Sequence, residues 1–423
     1  MKFAVLPLAA AAVAGSLALA PIRSGASVPA PAEEMRGIWV VCYSLNSPQA
    51  VRNVVHEAKI HHFNTLFVQV RSRGDAWYAS ELEPRARGLA SAPRDFDPLR
   101  SVVEEGHRNG LKVHAWLNTY LTWTGKTMPA NPDHIMNAHP DWIARDRDNH
   151  FQTVETPTVE GAFVQPSNPE VQDHLFRVFT DVATRYNVDG IHFDFVRYAG
   201  SGYDFAGSTL QRFARYMEPK MSDAGRAAVR ADATRMAYVH AFPDEWNDWR
   251  RVQVTNLVGR ISETVHARKP WVQVSAAVFA DARDARTERG QDWQTWLDEG
   301  YLDAICPMAY SKDTNVVARQ IANAVRVAGE KHVYAGIGSW RLSAADTEQK
   351  IARARAAGAK GVNIFSYGDV TRDGRNMSYL DALSRTSFAS RAGVPPMKWR
   401  ERSLREQTRS DVKRGDRSGT KDE

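Results

Sequence analysis

The stretch Gly190-Ile191-His192-Phe193-Asp194-Phe195-Val196-Arg197-Tyr198 decides how this chain is read. It is apolar enough for a buried strand, yet it carries a carboxylate, a guanidinium and a phenol toward its C-terminal end. An ionised carboxylate taken out of water costs several kcal/mol unless it is paired. Asp194 and Arg197 are therefore either a structural ion pair or working groups at the end of a sheet. Similar runs recur along the chain, and several also end in polar residues, which favours the second reading.

Working outward, apolar runs bounded by turn and helix signals predict eight strands, over 36–42, 65–71, 112–118, 190–197, 271–279, 304–310, 333–339 and 361–367. Helical patterns separate them. Val51, Val54, Val55 and Ala58 share one face after the first strand. Asn168 can cap, and Pro169 start, a helix whose face is Val171, Leu175, Val178, Val182 and Tyr186. Trp246, Trp249, Val252, Leu257, Ile261 and Val265 mark a long helix before the fifth strand, and 316–327 and 344–357 fill later intervals. Strand–helix alternation implies a parallel sheet, and eight units imply a closed (β/α)8 TIM barrel. An open doubly wound sheet would place a Gly-rich turn after its first strand, but Cys42-Tyr43-Ser44-Leu45-Asn46 has no Gly. Two connections, 119–168 and 199–270, are far longer than a barrel needs. Both follow strand C-terminal ends, where barrels place their active sites.

The 423 residues, 43% hydrophobic with 12 Trp, can bury a sizeable core. Residues 1–30 open with Lys2 and an apolar, small-residue run, the pattern of a secretory signal peptide. A secreted, periplasmic or cell-envelope location is expected, with no membrane span once the signal is removed. Cys42 and Cys306 lie in apolar runs far apart in strand order and are expected as buried free thiols. The formal charge of +6 is partly terminal: residues 391–423 hold ten Lys/Arg against six Asp/Glu, and are expected as a basic disordered tail after a barrel domain spanning 34–390. Nucleic acid is not an expected partner.

The strand ends gather a distinct chemistry. The second gives Gln69 and Arg71, followed by Asp75; the third His114, Trp116 and Asn118; the fourth His192, Asp194, Arg197 and Tyr198. After the fifth come Asp281, Asp284 and Arg289-Gly290-Gln291-Asp292-Trp293; the last three end near Tyr310, Trp340 and Tyr367. Carboxylates, amides, guanidinia and aromatic faces together suit a carbohydrate, whose hydroxyls want polar partners and whose C–H face stacks on an aromatic ring. A metal site is not expected, because no His-x-His stands at a strand end and His192 with Asp194 is the one close pair. No cofactor is expected, and no Gly-x-Ser-x-Gly elbow points to a serine hydrolase. His114 is expected in the barrel interior. Asp75 and Asp292 can each be read as a turn or helix cap instead of a working group.

At these residues the chain resembles the glycosyl-hydrolase-like 10 family. The matches are Met35-Arg36-Gly37-Ile38-Trp39, Phe67-Val68-Gln69-Val70-Arg71 with Arg73-Gly74-Asp75-Ala76, His114-Ala115-Trp116-Leu117-Asn118, Asp189-Gly190-Ile191-His192-Phe193-Asp194, Gly290-Gln291-Asp292-Trp293 and Pro307-Met308-Ala309-Tyr310. The resemblance implies a barrel glycosidase of the envelope, active in some members on peptidoglycan glycan strands that lack stem peptides. Where one common form of the family has a second Asp after the strand-four Asp, this chain has Phe195.

Glycoside hydrolysis ordinarily uses two carboxyl groups, one a general acid and one a nucleophile or base. Asp194 is expected in the second role, held ionised by Arg197 or Arg71. Asp292 is expected as the acid, with Asp281 and Asp313 behind it. Arg71, Asp75, Trp116, Asn118, His192, Arg197, Tyr198, Tyr310 and Tyr367 are expected to bind the glycan, with Trp123 a further stacking platform. A non-catalytic carbohydrate-binding barrel and a metal-dependent deacetylase or esterase are the alternatives.

Overall fold

The computed structural model describes residues 31–400. Eight parallel strands close a barrel in the order β1 (Met35–Val40), β2 (Thr65–Arg71), β3 (Lys112–Asn118), β6 (Gly190–Asp194), β7 (Gln273–Phe279), β8 (Ala304–Met308), β9 (His332–Gly338) and β10 (Gly361–Phe365), which pairs back onto β1. The two remaining strands, β4 (Leu121–Trp123) and β5 (Ala162–Phe163), form a small antiparallel ribbon inside the first long connection. All eight expected strands are present within a residue or two of their expected bounds, except that the fourth stops three residues early. Asp194 Oδ1 accepts the next backbone N–H, from Phe195, at 2.7 Å, and Phe195 takes a left-handed φ of 46°. That local turn ends the ladder and carries Arg197 and Tyr198 away from the strand axis.

The helices follow the sequence signals. Asn168 Oδ1 accepts from the Glu170 N–H and Pro169 occupies the first turn of the helix Pro169–Arg185. The long helix before β7 runs Pro243–Arg268. Apolar faces of the helices pack against the outer faces of the strands, while Met35, Trp39, Phe67, Trp116, Ala277, Cys306 and Tyr334 fill the barrel interior. The second long connection has its own apolar centre of Phe205, Phe213, Met217, Trp246 and Trp249. Cys42 and Cys306 are buried free thiols. Among the described residues, no helix is long and apolar enough to cross a membrane.

The domain boundary expected at 390 falls too early. Glu34 N–H donates to Gly393 O at 2.8 Å, Val394 packs against the barrel-interior cluster, and Trp399 stacks edge-on to His332. Arg400 pairs with buried Asp303 at 2.8 Å. The sequence hides this strap because its contacts are made to distant elements, not to its neighbours in the chain. The expected signal peptide at 1–30 and the rest of the expected tail, 401–423, lie outside the described residues.

Candidate active site

Asp194 ends β6 at the C-terminal mouth, directly opposite Asn118 in the β3 register. Its backbone carbonyl accepts from Thr119 N–H at 2.7 Å, so β3 and β6 fix its position together. The residue is 8% exposed. Burial pushes its carboxyl up to about 6, against the pull of the Phe195 N–H, the Arg197 guanidinium and the Trp116 indole; the nearby Glu160 carboxylate adds to the rise. Arg197 therefore does not hold Asp194 low, as expected from sequence: it turns instead to Glu160, Nη2 to Oε1 at 2.7 Å. Its guanidinium also lies 4.7 Å over the Phe195 ring and 5.1 Å over Phe279. Asp194 forms no ion pair among the described residues. The Tyr310 phenol, raised well above its usual range by burial, feels the Asp194 charge as well.

Glu160 was not a candidate from sequence. It lies in a charge-rich connection with no periodicity to mark it. The structure fixes it through the β4–β5 ribbon. The next residue, Gly161, has φ of 146°, and a Cβ there would sit 2.2 Å from Trp123 O, so only glycine brings the chain this close.

The other expected site residues divide. Trp116 is buried and donates its indole N–H to Asn118 Oδ1 at 3.1 Å, while Asn118 donates to Ser72 O at 2.8 Å. They buttress the mouth beside Asp194. Arg71 is fully buried, pairs with Glu83 at 2.7 Å and donates to the carbonyls of Asn118 and Thr119. It positions the end of β3 and has no surface to offer a ligand. His192 sits wholly inside the barrel, accepting from Trp39 Nε1–H at 3.3 Å and donating through Nδ1 to Ser275 Oγ at 2.9 Å. Burial holds it neutral, its pKa well below the usual value. Tyr198 is buried, with its hydroxyl on Arg250 O at 3.2 Å. Tyr367 is buried too, and its neighbouring charge is Glu57 of the first helix. Both phenols are thus structural, because the turn after each strand directs them into helix packing.

Asp75 is half-buried, accepts from Arg73 N–H at 3.0 Å, and is raised by burial. Asp292 pairs with Arg286 at 3.0 Å and begins the helix Trp293–Asp298; the Glu160 carboxylate adds to the rise of Asp194. Asp281 and Asp313 cap the helices that follow them. His114 lies in the barrel interior, toward its N-terminal end.

Of the four expected stacking platforms, Trp116 and Tyr198 are buried, while Trp123 and Tyr310 are half-buried. Tyr310 belongs to an aromatic corner: Trp340 stands at 86° to it with centroids 4.9 Å apart, and Phe365 lies 5.4 Å from Trp340. Trp340 is 38% exposed, which makes it the most accessible face of the three. A buried carboxyl with a raised pKa, a second carboxylate and an aromatic corner can together hold a sugar ring and protonate an oxygen on it.

The sequence profile of the glycosyl hydrolase-like 10 family matches residues 34–349. The chain is 24% identical to glycosyl hydrolase YngK of Bacillus subtilis over 414 residues, covering 86% of this chain and 74% of the relative. It is 27% identical to glycosyl hydrolase DigH of Escherichia coli over 346 residues, covering 70% of this chain and 71% of the relative. Among solved structures, the glycoside hydrolase domain of PgaB from Bordetella bronchiseptica superposes with a TM-score of 0.61 at 14% identity, covering 83% of this chain and 98% of that one. The catalytic domain of a β-amylase from Paenibacillus polymyxa gives 0.57 at 11%, covering 85% and 99%. At such identities the structural likeness speaks to the barrel alone.

Proposed function

The chain belongs to the glycosyl hydrolase-like 10 family and is a glycoside hydrolase, and from that premise we propose that it cleaves peptidoglycan glycan strands lacking stem peptides, in the cell envelope. Asp194 is the general acid and Glu160 the second carboxylate. The observation that carries this reading is the buried Asp194 carboxyl, raised to about 6 beside the Glu160–Arg197 pair. A carboxyl that is still half protonated at about pH 6 can give that proton to the leaving glycosidic oxygen as the bond breaks. Glu160, paired with Arg197, takes the role of activating water or attacking the anomeric carbon. This reverses the role expected for Asp194 and puts Glu160 where Asp292 was expected. Tyr310 and Trp340 would stack the sugar, and Asn118, its amide already engaged, would hold the end of β3 beside Asp194.

The test incubates purified protein with denuded and with peptide-bearing glycan strands and identifies released fragments by mass spectrometry. Sugar fragments should appear from the denuded strands and disappear with either Asp194→Asn or Glu160→Gln. Binding without any release would make the chain a carbohydrate-binding barrel, and released acetate without scission would make it a deacetylase. Full activity in Glu160→Gln would return the second role to another carboxylate, Asp292 first.

A further inference from the structure

At the opposite, N-terminal face of the barrel lies a cavity of about 450 Å³, walled by Lys112, His114, Trp271, Gln273, Pro395 and Met397. Three features set it apart from ordinary surface. Trp271 is 64% exposed, and among the described residues no other ring or cation stacks on it. The turn holds it out: Val272 N–H donates to Lys269 O at 2.9 Å, with Pro270 at the second turn position. His114 is 3% exposed and lines the cavity; its Nδ1 is sealed against Gly190, where a Cβ would stand 2.5 Å away, so the edge of the ring left to meet a ligand is the Nε2 side. Finally, the charges at the rim are already paired. Lys112 and His107 both engage Asp189, at 2.8 and 2.7 Å, and Arg400 engages Asp303.

An exposed indole face, the edge of a neutral imidazole and a rim of compensated charge match an uncharged ring with one apolar face and hydroxyls at its edge. We propose that this cavity is a second, non-catalytic glycan-binding site, in which a sugar residue stacks on Trp271 and a hydroxyl hydrogen-bonds to His114. The strap 393–397 forms its outer wall, so the site exists only because the C-terminal segment folds back. The inference rests on the glycan substrate proposed above. A second hold on the same polymer raises the effective concentration of strand at the mouth without any new contact there.

Titration calorimetry on the full chain tests it, with a soluble hexamer of β-1,4-linked N-acetylglucosamine as probe and Asp194→Asn as background to prevent turnover. Asp194→Asn should bind two equivalents and Asp194→Asn/Trp271→Ala one, the second site weakening by roughly tenfold or more, as truncation of an anchoring Trp does. Trp271→Phe should restore most of the loss. Trp271 is exposed, so an unchanged melting temperature will show that the alanine variant is folded. Equal stoichiometry and affinity with and without Trp271, or no binding by either protein, overturns the site. One Trp271-dependent equivalent from a protein that cleaves no glycan would uphold it while the proposed reaction fails.

Discussion

Asp194 keeps its proton to about pH 6 although a guanidinium stands nearby, because loss of water outweighs an attraction that Arg197 spends mainly on Glu160. Two consequences follow. With the folded pKa above the unfolded value of 3.8, the native state binds the extra proton between about pH 4 and 6. Stability is therefore lost as pH rises through that window, and the full cost of the buried charge is present above it. Asp194→Asn removes that cost while its amide oxygen can still accept from Phe195 N–H. The variant should melt higher than the parent at pH 7.5, by up to roughly 3 kcal/mol of stability, with the gap closing toward pH 4. Its turnover should fall by several orders of magnitude, on the order of 5 kcal/mol of barrier. A lower melting temperature at pH 7.5 would mean that Asp194 is a structural carboxylate. The second consequence concerns rate. If Asp194 donates the proton, kcat/KM should decline about tenfold per pH unit above about 6. A rate that instead rises through pH 6 and stays level to 8 would make Asp194 the nucleophile or base.

At the scale of elements, the mouth is backed by buried pairs on Glu83. Glu83 is fully enclosed. Burial pushes its carboxyl up, but Arg71 and His174 outweigh that and hold it down to about 2. Arg71 in turn carries the carbonyls of Asn118 and Thr119, and so sets where β3 meets Asp194. Glu83→Gln leaves that guanidinium buried and unpaired, and should destabilise the fold by about 3–5 kcal/mol, read as a drop in the denaturation midpoint. The aromatic corner behaves differently, since Trp340 is partly exposed and its ring meets solvent. Trp340→Ala should raise KM severalfold with a smaller change in kcat and an unchanged melting temperature; a loss confined to kcat would remove it from glycan binding. The strands and helices carrying these groups were legible from periodicity and caps. The pairing was not: Arg71 looked like a ligand-binding cation because nothing near it in sequence shows Glu83 folding back over it.

Over the whole molecule, the strap is tied to the N-terminal end of the described chain through Glu34 with Gly393, and to the start of β8 through Arg400 with Asp303. Burial would raise Asp303, but His266, Arg400 and the Val274 N–H keep it below its usual value. A chain ending at 400 should therefore melt well above one ending at 390, which loses Trp399 from the His332 face and one of the charges that compensate Asp303. Equal midpoints would show that the strap adds nothing to the barrel.

By itself the sequence determined the eight alternating units, the closed parallel barrel, the capped helix before β6, the two free thiols and the place of Asp194 at the C-terminal mouth. Each of these rests on neighbours within a few residues, through side-chain period, turn chemistry and capping, and local rules of that kind are written along the chain. Only the tertiary structure decided that Glu160 reaches Asp194, that Tyr198 and Tyr367 turn inward, that 391–400 closes the lower face, and that the Asp194 pKa moves up instead of down. Those outcomes depend on which groups meet across long connections and on how much water the fold removes around a charge. Desolvation belongs to the volume surrounding a residue, and that volume is assembled from segments the sequence keeps far apart.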